Sequence, residues 1–412
     1  MAKSMSDYMT APEACAVLEI KRASLYSYTS RGFVRSVPSK GKRARLYLRS
    51  DVLRLRERHD ARSGHGAVAA GALRWGEAVL DSSITEIRTD GPRYRGVAAV
   101  ELAHRGVSFE RVAEFLWTGT LRDAVSFAVP NGVSALIGGL PAQGGAYECL
   151  AALALAMRAK DRLRSSVDRV LEIERARAYL AAASLVPFRM RRSKPVTREG
   201  SIAGRVLRAW GKAPTAKSMD AVNQALVIVA DHELSASAFA ARVVASTGAD
   251  LYACLEGGLA ACFGPLHGGE CDRVEAFLAS IRTASDARRA VRHARDTASL
   301  IPGFTHRLYP EGDPRTPPLL FAANRLGARA RIGPALSLVR AMRAAGGEPP
   351  TVDIGLVVLC RALGLPPGAA SYLFALGRVA GWVAHVLEQR DTNALVRPRA
   401  RYVGRNDLAG RA

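Results

Sequence analysis

From Trp75 onward the apolar residues of this chain recur at helical spacing almost throughout, and that pattern narrows its fold more than any other feature. Half-buried strands need β-branched or aromatic side chains alternating with polar ones, and such runs are scarce here. Aromatic residues make up only 6% of a sequence that is 49% hydrophobic, so alanine, leucine and valine carry the apolar content and favour helix-on-helix packing. The spacing predicts a mainly α protein. At 412 residues the chain is long enough for two or three domains, each with a sizeable core.

The first 60 residues read as a separate module. Thr10-Ala11-Pro12-Glu13 has the form of a capping box with proline in the first turn, and it opens a short helix carrying Ala14, Val17 and Leu18. A turn at Glu19-Ile20 leads to a second helix, Arg22 to Thr29, with Leu25 and Tyr28 facing inward and Arg31-Gly32 at its end. Val37 to Leu48 predicts a β-hairpin with a basic tip, Ser39-Lys40-Gly41-Lys42-Arg43, and Ser50-Asp51 caps a third helix through His59. Helix, turn, helix, basic wing and helix is the order of a winged helix-turn-helix, and Ala11 to Arg58 resembles the DNA-binding module of MerR-type and excisionase-like proteins. Residues 1–62 hold 14 Lys and Arg against 6 Asp and Glu, a net of +8 within a chain of net charge +22. That concentration suits phosphate neutralisation and makes DNA an expected partner, with Lys21, Arg22, Ser24 and Ser27 on the helix and Lys40, Lys42 and Arg43 on the wing as candidate DNA-binding residues. Residues 61–74 are rich in Gly, Ala and Ser and read as a linker to a body spanning 75–412.

The six cysteines form no C-x-x-C pair, which argues against a zinc knuckle or a thioredoxin-like motif. Their apolar settings suit buried thiols of a reduced compartment. The N-terminus has no apolar leader, and no uninterrupted apolar segment reaches membrane-spanning length, so the expectation is a soluble, cytoplasmic protein with no membrane contact.

Two histidine motifs and an acid stand out in the body. They are Gly264-Pro265-Leu266-His267-Gly268-Gly269, then Pro302-Gly303-Phe304-Thr305-His306-Arg307 followed by Asp313-Pro314-Arg315, and Asp353 in Pro350-Thr351-Val352-Asp353. Two imidazoles and a carboxylate are the groups needed to remove a weakly acidic C–H proton and stabilise the enolate that results.

The wording around these residues resembles the citrate synthase family. Asp231-His232-Glu233-Leu234-Ser235-Ala236-Ser237 followed by FAARVVAST stands against the family's HELNAS and a nearly identical run, and Gly303 to Arg307 stands against GFGHR. The turn at Tyr94-Arg95-Gly96, the segment Ser108 to Gly119, and the tail Gly381 to Gln389 with Arg397-Pro398-Arg399 match further family signatures. The resemblance implies an all-α fold with a large subdomain (75–270 and 373–412) and a small one (271–372) that closes over it. It implies catalytic roles for His267, as hydrogen-bond donor to an acetyl-CoA thioester oxygen, for His306, polarising the ketone of oxaloacetate, and for Asp353 as base. His232, Arg315, Arg378 and Arg397 are the implied substrate-binding residues, with Arg397 acting in trans in a homodimer. Asp353 and Arg378 keep the family's spacing of 25 positions. His385 reads as structural.

The implied reaction is Claisen condensation of acetyl-CoA with oxaloacetate and hydrolysis of citryl-CoA. It needs no cofactor and no metal, since the CoA thioester is a substrate. Propionyl-CoA, giving 2-methylcitrate, is an alternative, and so is a DNA-binding regulator whose body senses an acyl-CoA or a carboxylate. The chain departs from the family at Glu270-Cys271, which replace Ala-Asn, at Thr305, which replaces glycine, at Ser235, which replaces Asn, and at Ile354-Gly355 after Asp353.

Overall fold

A computed structural model describes residues 8–18, 20–30, 34–38, 45–49, 51–53, 55, 80–141, 143–196 and 200–398. The chain divides into two compact units, residues 82–396 and the segments on either side of them.

In the flanking unit, strands β1 (Tyr8–Thr10), β2 (Ser36–Pro38) and β3 (Arg45–Leu48) form an antiparallel sheet in the order β1-β3-β2, with helices Ala11–Leu18 and Arg22–Ser30 between β1 and β2. The capping box forms as the sequence predicts: the Thr10 N–H donates to Glu13 Oε2 at 2.7 Å, and the Glu13 N–H donates to Thr10 Oγ1 at 3.4 Å. Met9, Ala14, Leu18, Leu25, Val34, Tyr47 and Val52 bury a small core, with Val17 and Tyr28 at its edge. Lys21 and Arg22 are exposed, while Ser24 and Ser27 are half-buried. Lys40, Lys42, Arg43, the expected third helix beyond Leu55 and the linker lie outside the described residues.

The unit 82–396 is mainly helical, as expected, and it opens with three short strands, two of them on either side of the expected turn at Tyr94-Arg95-Gly96. Strands β4 (Thr85–Arg88), β5 (Gly91–Tyr94) and β6 (Val97–Ala98) form an antiparallel meander. Elements of four, four and two residues are too short to establish a period-two signal, and the glycines at their turns dominate the local pattern. The strand ending at Tyr94 has a purpose in the fold. The Tyr94 hydroxyl lies 3.0–3.2 Å from the carbonyl oxygens of Val227, Ile228 and Asp231, beneath the turn that carries His232.

The helix Ala369–Thr392 is apolar on nearly every side, and such a helix must lie inside a core. By length and composition it could cross a membrane, contrary to the sequence expectation, but its apolar stretch is buried as the axis of this unit. Helices Phe109–Thr118, Ala216–Ile228, Ala236–Ser246 and Leu251–Cys262 pack around it. The 228–231 segment approaches it backbone to backbone. A Cβ at Gly381 would lie 2.6 Å from the Ala230 carbonyl oxygen and 2.2 Å from Asp231 Oδ1, so only glycine fits. This contact sets the His232 turn against the helix that bears Arg378. Helices Glu270–Ala279, Thr316–Arg325 and Arg329–Ala344 pack on the helix Val352–Leu363, whose first turn holds Asp353.

Candidate active site

His232 sits in the turn between helices Ala216–Ile228 and Ala236–Ser246, next to Glu233, whose φ of +54° bends the chain back. Its Nε2 lies 2.9 Å from the Tyr309 hydroxyl, and its ring meets that of His306 edge-on at 5.6 Å. Three residues along the same turn, Ser235 caps the following helix.

His267 stands in the tight turn between helices Leu251–Cys262 and Glu270–Ala279. A Cβ at Gly268 would come within 2.7 Å of the Cys262 carbonyl oxygen, so the glycine after the histidine lets the turn close. His267 Nε2 lies 2.8 Å from Ser237 Oγ, and Ser237 Oγ lies 3.3 Å from Ser235 Oγ, which in turn accepts from Arg378 Nη1 at 3.4 Å. When the serine hydroxyl donates to Nε2, the neutral ring keeps its proton on Nδ1, ready to donate to a ligand.

His306 lies in a loop held by the chain entering the Val352–Leu363 helix. Phe304 bridges Pro350, and the Thr351 N–H donates to the Gly303 carbonyl at 2.8 Å. The Leu308 N–H donates to His306 Nδ1 at 3.2 Å, and Arg315 Nη2 lies 3.5 Å from Nε2; when Nδ1 accepts, the proton of the neutral ring is on Nε2. Asp313 ties this loop to the base. It takes a bidentate fork from Arg315, with Nε at 2.9 Å and Nη2 at 2.8 Å, and it accepts the Val352 N–H at 3.0 Å, one residue before Asp353.

Thr305 is the strained point of this loop. Its φ of +85° is a left-handed conformation that a β-branched residue adopts at a cost, and the family's glycine at this position adopts it freely. Thr305→Gly is expected to stabilise the protein by about 1 kcal/mol net of the greater freedom glycine has in the unfolded chain. Thermal unfolding checks this: a lower melting temperature in the variant would show that the backbone is not under strain there.

Two buried guanidiniums supply the charge of the site, and they differ in one respect. Arg315 is neutralised by Asp313. Arg378, 2% exposed, donates from Nε to the Val229 carbonyl at 2.9 Å and stacks on Phe374 at 4.8 Å, but among the described residues no carboxylate lies within ion-pair distance of it. An unpaired buried cation is costly unless a ligand anion completes it. The imidazoles do not add charge. Burial, aided by Arg378 and Arg315, brings His267 down to about 4, and burial with Arg315 brings His306 to about 4. Burial and the same cations drive His232 well below its usual range. Burial also raises the Asp353 carboxyl, against the hydrogen bonds it receives from Cys271 and Thr351. At neutral pH the site therefore presents neutral rings able to donate, a carboxyl raised toward the range of a useful base, and one buried cation with no ion-paired carboxylate among the described residues.

The structure thus brings Arg315, Arg378, His306 and His267 within electrostatic reach of His232, and Arg315 within reach of Asp353. Arg397 is exposed in the segment after the last helix. His385 is buried with Nε2 3.3 Å from Asp231 Oδ1, within the core behind the His232 turn. Ser235, Ser237, Cys271, Tyr309, Asp313 and Thr351 take part without a role assigned from sequence. Ser235, Ser237, Asp313 and Thr351 stand inside the quoted motifs, so the motif itself was their signal. Tyr309 carried none, because its partner His232 is distant in sequence. The five cysteines at 149, 254, 262, 271 and 360 are buried free thiols, as their apolar settings suggest.

A mainly helical body that gathers buried imidazoles, guanidiniums and a carboxylate has the form of an enzyme. The citrate synthase C-terminal domain family matches residues 72–399, and the chain belongs to the citrate synthase family. It is 33% identical over 348 residues to putative citrate synthase 2 of Mycobacterium bovis, which spans 80% of this chain and 91% of that protein. It is 30% identical over 353 residues to the 2-methylcitrate synthase of Mycobacterium tuberculosis, with 80% and 89% covered. Among solved structures it is similar to the citrate synthase of Thermoplasma acidophilum in ternary complex with carboxymethyl coenzyme A and oxaloacetate. The TM-score is 0.73 at 25% identity, covering 83% of this chain and 97% of that one.

Proposed function

We propose that this protein condenses acetyl-CoA with oxaloacetate and hydrolyses the resulting thioester to citrate and CoA. The observation that carries this reading is the buried Arg378, with no carboxylate within ion-pair distance among the described residues, together with the neutral imidazoles of His267 and His306. Arg378 receives a carboxylate of oxaloacetate, with Arg315 offering the N–H groups that Asp313 leaves unused and His232 donating a further hydrogen bond. Asp353 takes a proton from the acetyl methyl group while the Nδ1–H of His267 stabilises the enolate oxygen. The enolate carbon then attacks the ketone carbon of oxaloacetate. The ketone oxygen, hydrogen-bonded by His306 Nε2–H, becomes the hydroxyl of citryl-CoA, and water cleaves the thioester to release CoA as a free thiol. CoA enters as a substrate, and the reaction calls for no resident cofactor. In a homodimer, Arg397 completes the partner's site.

Propionyl-CoA differs from acetyl-CoA by one methylene, which a pocket discriminates by about 1–3 kcal/mol. The test is release of free thiol by the pure protein from acetyl-CoA and from propionyl-CoA in the presence of oxaloacetate. Faster turnover of acetyl-CoA is the expected result; preference for propionyl-CoA would make the protein a 2-methylcitrate synthase, and no release from either by folded protein would sink the enzymatic reading. The regulator reading has one structural observation in its favour: Lys21 and Arg22 are exposed where the helix Arg22–Ser30 begins. It requires that duplex DNA bind the full-length protein and that oxaloacetate and acyl-CoA shift that affinity.

A further inference from the structure

Residues 270 and 271, where this chain departs from the Ala-Asn of its family, both bind other parts of the site. Glu270 Oε1 accepts the Gly303 N–H at 2.8 Å, which fastens the start of its helix to the loop bearing His306, and its other oxygen is held by Arg273 at 2.7 Å. Cys271 is fully buried, and its sulfur lies 3.3 Å from Asp353 Oδ1. Thr351 Oγ1 holds the other oxygen, Oδ2, at 3.0 Å. Burial pushes the Cys271 thiol well above its ordinary range, so it is an S–H donor and not a thiolate repelling its neighbour.

We propose that Cys271 is a positioning residue for Asp353: its S–H donates to Oδ1, fixing the plane of the carboxylate and favouring its ionised form. The inference rests on the reading of Asp353 as the base. A half-buried carboxylate held only at Oδ2 by Thr351 is free to turn about its Cβ–Cγ bond, and a base that turns spends less time aligned with the proton it removes. Two donors, one on each oxygen, one from the residue that caps the start of the Asp353 helix and one from the separate helix Glu270–Ala279, remove that freedom. They also oppose the tendency of burial to protonate the group. Glu270 serves the same end one residue earlier, since it keeps the His306 loop in register with the helix from which Cys271 reaches Asp353.

The test compares Cys271→Ala, which removes the donor, with Cys271→Ser, which replaces it by a hydroxyl, in steady-state kinetics of the full-length protein across pH. Cys271→Ala is expected to lower kcat by about tenfold, leave the KM for oxaloacetate within about twofold, and move the acid limb of the kcat/KM profile upward by about half to one pH unit, because the carboxylate has lost a group that stabilises its charged form. Cys271→Ser is expected to recover most of kcat and to return the limb toward its original position. Thermal unfolding of both variants shows that they fold. Wild-type kcat and an unmoved acid limb in Cys271→Ala would overturn the proposal, and so would equal impairment of both variants with no shift of the limb, the mark of a packing role. Asp353→Asn, measured alongside, separates the two readings. If it retains turnover, the base assignment itself fails. If it is inactive while Cys271→Ala behaves as wild type, only the role of Cys271 fails.

Discussion

Asp353→Asn is expected to lower the rate of citrate formation by about 10²–10⁴-fold, the contribution of a positioned general base. The amide keeps the shape of the side chain, and its one oxygen can still accept from either Cys271 or Thr351, which now hold Oδ1 and Oδ2 at 3.3 and 3.0 Å. What it loses is the capacity to take a proton. The loss should fall on kcat, with the KM for oxaloacetate little changed, because no carboxylate-binding group is altered. Measured turnover within a few-fold of wild type would assign the base to another residue.

Arg378→Leu is expected to give the largest effect on binding. The guanidinium is 2% exposed and has a backbone carbonyl and a serine hydroxyl as partners, with no carboxylate at ion-pair distance among the described residues. Removing one member of a buried, hydrogen-bonded charge pair costs roughly 2–5 kcal/mol, which corresponds to an oxaloacetate affinity weaker by about 30-fold to several thousand-fold. Folding should suffer little, since an apolar side chain replaces a desolvated cation whose hydration was already lost. Calorimetric titration with oxaloacetate and a thermal melt together check this. Unchanged affinity with a lowered melting temperature would make Arg378 a structural residue.

Arg315 offers the contrast. It is as deeply buried as Arg378, yet its Nε and Nη2 are engaged by Asp313, and Asp313 also accepts the Val352 N–H. Its substitution would disturb the loop of His306 and the approach to Asp353 together, so it could not report on carboxylate binding alone. Two arginines that look alike in sequence therefore differ in what a mutation would measure.

The helical character of the body, the capping box at Thr10 and Glu13, the histidine turns and the acid at 353 were legible in the sequence, because each is a local matter. Helical periodicity, turn glycines and short motifs are written within a few residues of one another. The meander of β4, β5 and β6 was not legible, since strands of two to four residues leave too little pattern. The helix Ala369–Thr392 shows the other limit: its composition fits a membrane span as well as a core, and only its neighbours on all sides decide between them. The site divides in the same way. The sequence alone determined which groups were available: three histidines, one acid and the arginines. Tertiary structure decided their states. It brought Ser237 to Nε2 of His267, Leu308's N–H to Nδ1 of His306, Asp313 to Arg315 but, among the described residues, no acid to ion-pair distance of Arg378, and the thiol of Cys271 to Asp353. Most of these choices depend on residues far apart in the chain meeting in a space with little water, where a single hydrogen bond settles which nitrogen carries a proton and a single missing carboxylate leaves a charge open to a ligand.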